Sequence, residues 1–253
     1  MYLPLLEDQP DSLFFIRPRR FGKSIFLSML RAYYDLSQKD KFEKRFGKLW
    51  IGSHPTPLQG KYQVLFFDFS RANAGSGTLE ENFNRYCCAV LNDFMRTYAG
   101  YYSGELQEEF FRTDSAADKL TKIDIEAKKN NYLLYLIIDE YDNFTNAILA
   151  NMGEKHYKAL THGTGFFRYF FNKLKEGATG DGPIKRMFIT GVSPVTMDDV
   201  TSGFNIGANM TTDYRFNGII GFSEGEVREM LAYYKEETGF EDSVLSLIHI
   251  SEP

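Results

Sequence analysis

"FFIRPRRFGKSIFLSML", Phe14 to Leu30, decides how the rest of the chain is read. An apolar, strand-like run passes into a basic turn, then Gly-Lys-Ser, then an apolar, helix-like run. A phosphate-binding loop needs that order: a strand, a turn whose backbone N–H groups converge on phosphate, a lysine for the outer phosphates, a hydroxyl for magnesium, and a helix N-terminus facing the anion. "RPRRFGKS", Arg17 to Ser24, departs from this at one point. In the generic pattern G-x-x-x-x-G-K-[ST] the first glycine falls at Arg17. Taken alone, the stretch also fits a helix start beside a solvated cluster of Arg17, Arg19 and Arg20.

The context comes from three further apolar segments bounded by turn signals. With "LFFIR" (Leu13–Arg17), the segments "QVLFFDFS" (Gln63–Ser70), "YLLYLIID" (Tyr132–Asp139) and "RMFITG" (Arg186–Gly191) predict strands. Helical patterns separate them at 23–34, 78–98, 116–129 and 165–176. Near-continuous apolar strands alternating with helices predict an α/β fold: a mainly parallel sheet with helices on both faces. Ligands of such sheets gather beyond the carboxyl ends of the strands.

The third strand ends in "DEYDNF", Asp139 to Phe144. Adjacent carboxylates at a sheet end are costly unless a cation answers them. Magnesium fits, with Asp139 and Ser24 holding the metal and Glu140 polarising an attacking water. After the fourth strand, Thr190 is the candidate polar group between that water and the γ phosphate, with Ser193 as its substitute. In "FFDFS", Asp68 suits a turn-capping role better than catalysis. Arg186, Arg215 and the loop arginines are all candidates for a cation at the transition state.

Composition limits the classes. The chain has 253 residues, 43% hydrophobic, with a net charge of −5; it gives no overall basic field, although a local basic patch is compatible with that balance. No apolar run is long enough to span a bilayer and no signal-peptide layout is seen, so a cytoplasmic location and no membrane partner are expected. Adjacent Cys87 and Cys88 suit buried small hydrophobes. "SEGE", Ser223–Glu226, predicts a capping box opening a helix to about Thr238.

The combination of "FFIRPRRFGKSIFLSML", "LIIDEYDN", "ITGVSPVTMDDVTSGFN" and "GFSEGEV" resembles the AAA-ATPase-like family of bacterial and archaeal P-loop proteins, from about Leu13 to Tyr234. That family's loop is typically arginine-rich where the ordinary loop has glycine, so Arg17 fits the family. The resemblance implies a P-loop ATPase of AAA type. Relatives usually begin earlier, and many carry a C-terminal nuclease-like domain of the PD-(D/E)XK superfamily; no nuclease core is evident in these residues.

The expectation is therefore an ATPase-like domain over 1–222 and the start of a helical, lid-like region over 223–244. The tail 245–253, "LSLIHISEP", reads as translated sequencing adapter, with the natural chain continuing past Val244. ATP and Mg2+ are the expected ligands. The nucleotide contacts are assigned to Arg19, Arg20, Phe21, Gly22, Lys23, Ser24 and Ile25, the metal to Ser24 and Asp139, and the chemistry to Lys23, Glu140 and Thr190. A slow nucleotide-gated switch, a DNA-stimulated ATPase and an interaction scaffold with a decayed loop are kept as rival readings. Self-association, which would bring in a neighbour's arginine, and nucleic acid stay open as partners.

Overall fold

In the computed structural model the described residues are 2–72, 77–153, 158, 165–192 and 207–238. They fall into two compact units, one ending at Thr212 and the other starting at Asp213. The first contains α1 (Tyr2–Glu7), β1 (Ser12–Ile16), α2 (Lys23–Tyr34), α3 (Phe42–Phe46), α4 (Trp50–Ser53), β2 (Gln63–Asp68), α5 (Leu79–Thr97), α6 (Gly104–Arg112), α7 (Ala116–Lys129), β3 (Leu134–Asp139), α8 (Asn143–Met152), α9 (Phe166–Ala178), β4 (Ile184–Gly191) and β5 (Ala208–Asn209). In the second, α10 (Glu224–Thr238) follows a short 3-10 turn at Tyr214–Phe216. Its start carries the expected capping box: Ser223 N donates to Glu226 Oε2 at 2.7 Å and Glu226 N to Ser223 Oγ at 3.3 Å. Ser193 and the tail 245–253 lie outside the described residues.

The five strands form one sheet in the order β2-β3-β4-β1-β5, and every pairing is parallel. The α/β fold with a mainly parallel sheet is thus the observed one. Strands β1 and β3 are buried at every position, as expected for a sheet covered on both faces. Side chains alternate between those faces. Phe14, Leu136, Ile138, Met187 and Ile189 join the core made with α5, α7 and α9. Phe188 turns the other way, its ring 5.6 Å from that of Phe26 on α2. Ile137 is the register partner of Phe188, so two residues on, Asp139 and Thr190 face α2 as well.

Boundaries follow local chemistry. Helices α2 and α7 occupy the ranges the pattern predicts, and β2 stops two residues early because Asp68 caps the next turn. Its Oδ1 accepts from Ser70 N at 3.1 Å and Ser70 Oγ at 2.6 Å, the capping role expected of it. Helix α5 opens with a capping box between Thr78 and Glu81. The sequence pattern had given no sign of α1, which long-range contacts hold. Arg186 donates to Leu6 O at 2.7 Å and Glu7 O at 3.3 Å, while the Glu7 carboxylate accepts from Tyr34 and Thr56 at 2.9 and 2.7 Å. Cys87 is buried and both cysteines are free.

Helices α7 and α9 meet where α9 has Gly177. A Cβ there would lie 2.5 Å from Asp124 Oδ1. Burial, with Glu176 adding to it against Lys128 and Lys173, pushes the Asp124 carboxyl up to about 6. The folded chain therefore holds that proton more tightly than the unfolded one, whose carboxyl titrates near 3.9. Ionisation costs stability fully above about pH 6 and not at all below about pH 4. Asp124→Asn is expected to melt at a higher temperature than the parent at neutral pH, with the difference closing as pH falls through that window.

Candidate functional site

Beyond the carboxyl ends of β1, β3 and β4, three segments bring their polar groups together. The first is the loop 17–22 leading into α2. Gly22, the N-cap, has φ 85° and ψ 12° and offers no side-chain cap to the helix's first turn; α5, α6 and α7 each have a hydroxyl cap from Thr78, Ser103 and Ser115. Uncapped N–H groups and the helix dipole favour an anion at the start of α2. Lys23 is buried, and its Nζ donates to Arg17 O and Pro18 O, both at 3.0 Å. The loop is thereby wrapped around the lysine.

The second segment is the end of β3. Asp139, 3% exposed, accepts from Ser24 Oγ at 2.6 Å through Oδ2. Its Oδ1 accepts from Thr190 Oγ1 at 2.8 Å and from Glu140 N at 2.9 Å. Glu140 Oε1 lies 3.8 Å from Lys23 Nζ. Burial is the main force raising the Glu140 carboxyl above the ordinary glutamate range; Lys23 opposes it, and Asp139 and Asp142 add to it. Its φ of 51° is left-handed, a conformation non-glycine residues seldom adopt. Thr190, the third contribution, is 1% exposed.

The structure thus gathers Lys23, Ser24, Asp139, Glu140 and Thr190. Arg19, Arg20, Phe21 and Ile25 stay exposed on the solvent side of the loop, and Arg20 has a φ of 69°. Arg17 acts as a strut: NH1 donates to Thr211 O at 2.7 Å, and the guanidinium lies 4.3 Å from the Phe15 ring centroid. Burial lowers its pKa. A side chain at the generic glycine position therefore ties the loop to the strand edge beyond β5.

A family model described as a predicted AAA-ATPase matches residues 1–201. The chain belongs to that family. No curated protein matches it. Membership in the AAA-ATPase-like family speaks for nucleotide binding in general, on an α/β domain whose described helices include none long and apolar enough to cross a membrane.

Two arginine candidates of this AAA-ATPase-like chain are placed by their contacts. Arg186 sits near the start of β4, at the sheet edge opposite Thr190, and its guanidinium closes the C-terminus of α1; it cannot serve as the transition-state cation at this site. In the second unit, Arg215 is engaged with Asp213, NH2 to Oδ2 at 2.6 Å.

One residue of the site escaped the sequence reading. Asp142, 1% exposed, accepts from Val192 N at 3.2 Å and from Asn146 Nδ2 at 3.2 Å. At the N-cap of α8 it makes no side-chain cap and ties the acidic turn to the end of β4 instead. The signal was the second aspartate of "DEYD", which local spacing assigns to a helix cap. Gly191 makes room for this turn: a Cβ there would lie 2.3 Å from Tyr141 Cε1 and 2.6 Å from Asp142 Oδ1. Gly191→Ala is expected to destabilise the fold by about 1–3 kcal/mol, as overpacking does, measured by denaturant unfolding. Gly100→Ala, where a Cβ meets nothing within 4 Å, serves as the neutral comparison.

Proposed function

We propose that residues 1–222 form a Mg-dependent ATPase domain and that 223–244 begin a helical, lid-like region. The observation that carries this reading is the Asp139 carboxylate, shared between the Ser24 and Thr190 hydroxyls, with the Lys23–Glu140 pair beside it. Magnesium prefers hard oxygen ligands and commonly takes only one or two from protein, the rest being water and substrate phosphate. Among the described residues no cluster of three or more acidic, cysteine or histidine groups could cage a metal alone, so a site completed by nucleotide is the one this donor set fits. Ser24 Oγ and Asp139 would hold the ion. When bound, the metal withdraws charge from the phosphate oxygens.

The chain's own groups would do the rest. Lys23 Nζ and the first amides of α2 neutralise phosphate charge as the terminal group departs. Glu140 orients water for in-line attack and takes its proton on the carboxylate, for which a raised pKa makes it the better base. Thr190 fixes the orientation of the Asp139 carboxylate.

A second reading, the nucleotide-gated switch, is favoured by one contact set. Lys23 Nζ spends two of its three N–H donors on Arg17 O and Pro18 O and faces Glu140 at 3.8 Å, so a phosphate competes with Glu140 for the lysine and couples binding to the end of β3. The rates separate the two readings: bound ATP that outlasts long incubation supports the switch, and steady phosphate release supports the enzyme.

MgATP at a hundredfold over its Kd is expected to stabilise the parent by about 2.7 kcal/mol, read as a raised melting midpoint, and to leave folded Lys23→Ala unmoved. Equal stabilisation of both would remove the loop assignment. Glu140→Gln should keep the binding shift and slow phosphate release by roughly 10²–10⁴-fold.

A further inference from the structure

The opposite end of α2 leads to a surface that the nucleotide reading does not use. Residues 39–61 hold six basic side chains, Lys39, Lys41, Lys44, Arg45, Lys48 and Lys61, against two acidic ones, Asp40 and Glu43. That net +4 sits in a chain of net −5, leaving −9 for all other residues. The six basic side chains are exposed, and none forms an ion pair among the described residues.

The fold turns these charges outward because the apolar side of the segment is taken. Phe42 and Phe46 stack on each other and pack edge-on against Tyr33 of α2. In α4, Gly52 approaches α3 so closely that a Cβ would lie 2.1 Å from Phe46 O. Next to Lys48, Leu49 and Trp50 are each 55% exposed. Trp50 is the chain's only tryptophan, and its ring lies parallel to that of His54, with centroids 4.6 Å apart and an interplanar angle of 8°. An exposed, braced aromatic plane beside unpaired cations is the physical combination that binds single-stranded nucleic acid: bases stack on the ring and phosphates meet the charges. An acidic protein or an anionic membrane would also answer the charges; the parallel His54 ring, which holds Trp50 as a flat plane, favours a base as the occupant. A duplex keeps its base faces covered.

We propose that segment 39–61 is a binding surface for single-stranded nucleic acid, with Trp50 as its stacking platform. The surface requires no nucleotide at the phosphate loop, so it stands or falls apart from the ATPase reading.

The single tryptophan makes the full-length chain its own reporter. Titrated without ATP at low salt, a poly-thymidine oligonucleotide is expected to quench Trp50 fluorescence, and a duplex of equal length to do so far less. The Lys44→Ala, Arg45→Ala, Lys48→Ala triple variant should weaken binding and lower the log–log salt slope by about two, at ~0.7 per phosphate contact on single strands. By anisotropy of labelled oligonucleotide, Trp50→Leu should lose roughly tenfold in affinity and Trp50→Phe recover part of it, as stacking requires. All these positions are exposed, and unchanged melting midpoints confirm folded variants. Absence of quenching at low salt, undiminished binding by the triple variant, equal binding of duplex, or binding of phosphatidylserine vesicles in place of oligonucleotide would each overturn the proposal.

Discussion

A single carboxylate, Asp139, joins parts of the chain that are far apart in sequence. Burying it strips away water, and an ionised carboxylate in such a place must be answered by donors or by a cation. Here the donors are Ser24 from the first turn of α2, Thr190 from the end of β4, and the amide of Glu140. Each comes from an element whose position is already set by packing. Alternation along β3 and β4 turns Asp139 and Thr190 toward α2, while Phe26 against Phe188 fixes the helix over that face. Slipping β3 by one residue would point Asp139 toward the aromatic core with α5 and α9, away from Ser24 and Thr190. The polar cluster and the register of the sheet therefore enforce one another.

Backbone strain gathers at the same place. Of the three non-glycine residues with left-handed φ among the described residues, Arg20 and Glu140 flank the site, and the third, Asn131, lies in the turn before β3. Such conformations cost on the order of 1–3 kcal/mol and persist where the surroundings over-determine them. For Glu140 those surroundings are Asp139, whose carboxylate takes its amide, and Lys23, which faces its side chain. The acidic turn is further pinned by Asp142 to Val192 N and by the missing side chain of Gly191. The fold thus holds Glu140 beside the buried Asp139 in a backbone conformation that its neighbours over-determine.

How legible this was in sequence depended on whether the cause was local. Helices α2 and α7 and strands β1 to β4 carry their own apolar periodicity, and the turns flanking them carry Gly, Asp or Ser, so pattern alone placed them. The meeting of Lys23, Ser24, Asp139, Glu140 and Thr190 was legible for the same reason: each follows a strand end, and parallel strands put those ends on one edge. Strand β5 is two residues long and has no period to detect. It exists because β1 presents an edge, and Thr211 beyond it receives Ile16 N and Arg17. Helix α1 depends on Arg186 and Glu7, partners found only across the fold. Arg186, one of several arginines that sequence leaves open as a transition-state cation, is placed only by the strand's direction, which puts it at the other end of β4 against α1.

Where the site can rearrange follows from what is packed. In α2, Leu27 and Leu30 are fully buried and Tyr33 and Tyr34 close the far end, so the helix cannot shift without repacking the sheet face beneath it. One side of the loop is held by Arg17, anchored on Phe15 and Thr211. What is left is the short span from Pro18 to Gly22, where the backbone is already left-handed at Arg20 and Gly22, the side chains stay largely in solvent, and Lys23 supplies the inner contacts. Under the proposed reading, a phosphate oxygen at Lys23 Nζ would replace a contact of the same kind, that to Glu140, with no loss of buried apolar area. On that reading, the work of accommodating a nucleotide is confined to about five residues between two fixed points, one of them the strut at Arg17.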